Sequence, residues 1–99
     1  MRTIKNYVEK INNEIEGAKE YAEKYVEEKV KGETTRANRY REMANDELKH
    51  ANYIHDFATT KIAELEKVYT APVEMLDKWE HAHAEYVEKV AWIKQMLTI

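Results

Sequence analysis

The chain has 99 residues, with 16 Lys and Arg against 19 Asp and Glu, a formal charge of −3 that fits one small domain over residues 1–99. With no cysteine, disulfide scaffolds, thiolate nucleophiles, Cys-based zinc sites and Cys-ligated iron–sulfur or rubredoxin centres are excluded, so any metal must rest on O and N ligands. Lys and Glu are mixed along the chain without a basic stripe, and no apolar run approaches the ~18 residues of a membrane span, so neither nucleic acid nor membrane is an expected partner. The opening residues Met1-Arg2-Thr3-Ile4-Lys5-Asn6 lack the apolar segment of a signal peptide, which makes the cytoplasm the expected compartment.

Two glycines, one proline and 35% charged residues predict an all-α fold, because strands need turn residues far more often. Breaks are predicted at Lys31-Gly32-Glu33-Thr34, with Gly32 as a left-handed C-cap and Thr34 as an N-cap, and at Tyr69-Thr70-Ala71-Pro72, with Pro72 in a first helical turn. Three helices follow, near residues 3–30, 34–69 and 72–97: a long antiparallel hairpin and a third helix. Each would be on the order of 40–54 Å long at 1.5 Å per residue. So slender a rod with such wide apolar stripes favours a homodimer or larger homo-oligomer.

In the first helix, Ile4, Val8, Ile11, Ile15, Ala18 and Ala22 form an apolar face flanked by Tyr7, Tyr21 and Tyr25. Glu14 lies inside that face: Tyr7, Ala18, Tyr21 and Tyr25 fall within about 40° of it, whereas Glu16 and Glu20 point well away, as surface carboxylates do. Glu27-Glu28-Lys29 reads as a solvated face. In the second helix, Tyr40, Met43, Ala44, Ala51, Ile54, Ala58, Ile62 and Leu65 make the stripe and Glu47 projects from its middle. His50 follows one turn later, so the two form a Glu-x-x-His pair that can point at one object. In the third helix, Val73, Leu76, Val87 and Val90 set a stripe with His83 near its middle and Glu80 on its flank, a second Glu-x-x-His; His81 and Glu85 are expected in solvent. The tyrosines, Trp79 and Trp92 are expected to be packing anchors rather than redox relays.

An ionised carboxylate within an apolar stripe costs several kcal/mol or more unless a cation accompanies it. Helical bundles meet that cost with paired iron or manganese ions held by Glu and Glu-x-x-His, a donor set of hard oxygens and imidazole. Against this background Glu14-Ile15-Glu16-Gly17-Ala18-Lys19-Glu20-Tyr21 resembles the first-helix signature of the ferritin-like superfamily, its rubrerythrin branch especially. Arg41-Glu42-Met43-Ala44-Asn45-Asp46-Glu47-Leu48-Lys49-His50-Ala51 resembles the second-helix signature, and the likeness covers roughly residues 4–65.

The resemblance implies that Glu14, Glu47 and His50 are metal ligands, with Glu47 able to bridge two ions; Asp46, one helical turn before His50, is expected to accept its other ring N–H or a partner's, and Tyr21 is expected to support the ligands as well. It further implies two Fe ions per site, Mn or Zn being alternatives, with Fe(II) and O2 or peroxide as reactants. No catalytic residue beyond the ligands is expected. The chain carries only half of the family's ligand set, so a ferritin-like four-helix bundle completed by dimerisation is expected, the site being shared between subunits. An alternative completes the site within one chain through Glu80 and His83.

Two other readings stand beside these. Glu14, Glu47 and His50 could form a structural ion-pair network, and the chain could be a non-enzymatic interaction module that keeps a ferritin-like fold. A hydrolase has little support, since the chain contains no serine. The leading expectation is Fe(II) oxidation or iron handling, a ferroxidase or rubrerythrin-like oxidoreductase activity.

Overall fold

The computed structural model describes residues 2–68 and 73–99. They form three helices, α1 (Arg2–Val30), α2 (Thr34–Val68) and α3 (Val73–Met96), with no strand among the described residues. The predicted break at Tyr69-Thr70-Ala71-Pro72 lies outside those residues. No helix is long and apolar enough to cross a membrane. The described residues span 55 × 17 × 17 Å, a rod about as long as α2 itself at 1.5 Å per residue.

The first break is built as the sequence predicts. Gly32 has a φ of 79°, its N–H donates to the Lys29 carbonyl, and the Glu33 N–H donates to the Glu28 carbonyl. These two bonds close a Schellman motif, for which glycine is the residue that takes the left-handed conformation without a Cβ clash. The N-cap is shifted by one residue: the Glu33 carbonyl accepts the first α2 bond, from Ala37, so Thr34 is already inside the helix.

Between α1 and α2 the seam is lined by Ala18, Ala22, Ala44, Ala51 and Ala58, all fully buried. Small side chains let two backbones approach closely, and this closeness shapes the polar site described below. Ile11, Ile15, Tyr25, Ala37 and Leu48 extend the same core. Leu48 and Ala37 were not assigned to the α2 stripe from the sequence, whereas Met43, which was, is exposed on a side of α2 that α1 does not cover.

The third helix packs chiefly on α1. Met75 joins Ile4 and Ile62 at one end, and Ile93 and Leu97 join Tyr25 and Ala37 at the other, so α3 runs antiparallel to α2. Its inward face differs from the expected stripe. Leu76 and Val90 of that stripe pack on the hairpin, but Val73 and Val87 are exposed and Met75, Trp79, Tyr86 and Ile93 complete the inward face, so the buried side is rotated away from the expected one. The long and aromatic side chains bury more apolar area than the valines, and they decide which way the helix faces.

Glu28 also departs from expectation. It is buried, and its Oε2 has no hydrogen-bond partner among the described residues; Lys31 Nζ lies 4.0 Å from Oε1. It shares a side of α1 with Glu14, and the tight reversal at Gly32 brings the start of α2 back over it.

Candidate metal centre

Glu14 lies near the middle of α1, and Glu47 and His50 lie one turn apart near the middle of α2. The close alanine seam brings them together: each offers a ligand-type atom, and these atoms all lie within 4.8 Å of one another. His50 Nδ1 is 3.5 Å from Glu14 Oε2, with side chains 54% and 29% exposed respectively. Glu47 is half-buried and lies against α1 beside Gly17, the one position in that helix interior without a side chain.

The electrostatics are those of two acids competing for one place. The Glu47 carboxyl is held above the ordinary carboxylate range, first by its hydrogen bond with the Glu14 carboxyl, then by partial burial and by the Glu14 charge. Asp46 pushes in the same direction and His50 opposes it. Without a cation, the pair accommodates itself by keeping a proton on Glu47 over a wider pH range. A bound divalent ion would remove the need for that proton, and two carboxylate oxygens with one imidazole nitrogen suit Fe, Mn or Zn.

The site occupies the side of the hairpin away from α3. Asn12, Ile15 and Lys19 of α1 line the groove toward α3, as do Leu48 and Asn52 of α2, and all are turned about 100° or more from Glu14 and Glu47. For this reason Glu80 and His83 do not complete the group. Glu80 is exposed, and His83 meets His55 instead, Nδ1 to Nε2 at 2.7 Å. His81 and Glu85 are in solvent as expected, paired at 3.0 Å.

Tyr21 stacks on Tyr40 with centroids 6.3 Å apart, so its ring joins α1 to α2 beside the site. Asp46 is exposed and acts on Glu47 through its charge, and the contact found for His50 is with Glu14. Three features went unread in the sequence: the notch at Gly17, the aromatic nest around His55, and Arg41. The last donates to the Tyr25 hydroxyl at 2.7 Å and to the Leu97 carbonyl at 2.8 Å. Gly17 carried a signal, since a glycine inside a helix costs about 1 kcal/mol relative to alanine and therefore calls for a reason.

Compared with protein-family models, with curated proteins and with solved structures, the chain has no match in any of the three.

Proposed function

We propose that this chain is a ferritin-like metal-binding protein whose Glu14, Glu47 and His50 hold a divalent ion, and that it serves Fe(II) oxidation or iron handling. The observation that carries this reading is the convergence of two carboxylates and an imidazole, with ligand-type atoms within 4.8 Å of one another, on a side of the hairpin that α3 leaves open. A structural ion pair would be satisfied by one acid and one base. A second carboxylate pressed against the first must keep a proton or gain a cation, and a divalent ion lets both acids ionise.

Within this reading Glu14 and Glu47 supply charge and oxygen donors, and His50 supplies the nitrogen donor. Iron, when bound, supplies the redox chemistry, each Fe(II) giving one electron to O2 or peroxide. With no cysteine, the chain has no rubredoxin-type electron entry of its own, so ferroxidation is simpler for it than a full peroxidase cycle.

Three donors leave an ion short of a full shell. A second copy related by a twofold axis would bring the same three, giving four Glu and two His around two ions and closing a four-helix bundle from two hairpins. Exposed apolar side chains on α2, Phe57 at 63% and Tyr53 at 58%, favour such a partner near the site.

The test is metal stoichiometry per chain by elemental analysis after anaerobic Fe(II) loading and gel filtration, with native mass recorded alongside. About one Fe per chain in a dimer, absent from a Glu14→Ala/His50→Ala variant, is the expected result. A well-folded oligomer with no iron in either protein would overturn the reading in favour of a non-enzymatic interaction module.

A further inference from the structure

Gly17 stands one turn after Glu14, in the middle of a 29-residue helix, where it terminates nothing and takes no unusual backbone angle. Its cost of about 1 kcal/mol relative to alanine is therefore not offset by any local need of α1. What it faces is the other helix. A Cβ placed on Gly17 would lie 3.1 Å from Glu47 Oε2, 3.5 Å from Glu47 Cδ and 3.7 Å from Glu47 Cγ. All three close neighbours belong to that one side chain.

We infer that Gly17 is a positioning residue for the metal site: its missing side chain is a notch in α1 that seats the Glu47 carboxylate beside Glu14 and His50. The inference rests on the reading of Glu47 as a ligand. The first clash would be with the free end of a flexible side chain, so an added methyl group does not threaten the fold. It displaces the carboxylate. A shift of a few tenths of an ångström is small for packing and large for a ligand that must meet an ion at a fixed distance from two other donors. The usual signs of the two effects are thus opposed: alanine strengthens the helix and weakens the site.

The experiment measures two quantities on the full chain. Urea unfolding in EDTA reads the metal-free fold, and anaerobic Fe(II) competition against a chromophoric chelator reads affinity. Gly17→Ala is expected to unfold at the same or higher urea concentration than the wild type while binding Fe(II) about tenfold more weakly, the lower end of what disturbing a ligand's support costs. Glu47→Asp supplies the second arm, because its carboxylate is one methylene shorter and stops before the notch. If Gly17 acts through Glu47, alanine costs little further affinity when added to Glu47→Asp, and the two substitutions are non-additive.

Wild-type affinity in Gly17→Ala overturns the inference, as does an equal loss in both backgrounds, which would mean that the methyl group acts through the fold. Glu47→Ala separates the two levels of the argument. If it binds Fe(II) like the wild type, the assignment of the site falls and this inference with it. If it loses Fe(II) while Gly17→Ala does not, only the role of Gly17 falls.

Discussion

His55 Nε2 and His83 Nδ1 lie 2.7 Å apart, a bond that ties α2 to α3. His55 is stacked between Trp79, at 5.4 Å, and Tyr86, at 4.8 Å and 11° from parallel. Burial first, and the neighbouring His83 second, push its pKa below the ordinary value of 6.5, while Asp56 opposes them. Tyr86, itself shifted upward by burial and by Asp56, shares this nest with His83 and Asp56.

The sign of the pH effect follows from the lowered value. Above about pH 6.5 His55 is neutral in both folded and unfolded chains, and its contribution is complete. As pH falls through 6.5 toward the folded value, the unfolded chain takes the proton first and stability is lost. Urea midpoints should therefore fall between pH 7 and pH 5, and fall less in a His55→Asn variant. At pH 7, His83→Ala should cost about 1 kcal/mol, the net worth of a hydrogen bond. Parallel pH profiles in wild type and His55→Asn would refute this account.

Arg41 holds a different seam. Its guanidinium donates to Tyr25 and Leu97 and lies 4.8 Å from the centre of the Tyr25 ring, while the Tyr25 hydroxyl donates to the Ile99 carbonyl at 2.9 Å. Arg41→Ala should destabilise the chain by about 2–3 kcal/mol, since it removes two charge-assisted bonds and a stacked cation together. Tyr25→Phe, which keeps the ring and the Arg41 bond to Leu97, should cost about half as much. Equal urea midpoints for wild type and Arg41→Ala would show that the seam holds without it.

Removing metal should expose the conflict between the two acids. In EDTA, Glu47→Gln should be at least as stable as the wild type at pH 7, because it ends the repulsion that keeps Glu47 protonated above its ordinary range. With Fe(II) added anaerobically, the order should reverse, since only the wild type gains binding energy. Glu20→Ala, on the exposed side of α1, should change neither measurement. Metal loss in Glu20→Ala equal to that in Glu47→Gln would discredit the facial argument.

Phe57 is on the same side of α2 as His50, two turns further along. If that side receives a second copy, Phe57→Glu should halve the native mass, leave helix content unchanged and weaken Fe(II) binding at least tenfold, because each half-site would be left incomplete. A variant that remains dimeric would place the contact elsewhere.

The number of helices and the Gly32 reversal were legible because glycine and the apolar period act locally, within a few residues. Glu14, Glu47 and His50 were legible because carboxylates inside an apolar stripe stand out against their own helix. What failed depended on a second helix. The rotation of α3 is a contest between valines and larger side chains for the same groove, which periodicity alone does not weigh. The burial of Glu28 requires α2 to fold back over it, and the pairing of His55 requires His83 from a helix placed by other contacts.

The separation of α3 from the side that carries Glu14, Glu47 and His50 has a spectroscopic consequence. The chain's two tryptophans, Trp79 and Trp92, both belong to α3. Trp79 is packed against His55 inside the seam, and Trp92 is 61% exposed. Intrinsic emission is therefore a native label for one layer of the molecule: a blue component follows the attachment of α3, and a red component marks solvent. An ion held by Glu14, Glu47 and His50, on the side away from α3, would touch neither indole, so a shift in emission wavelength on metal addition would report a change in how α3 sits on the hairpin.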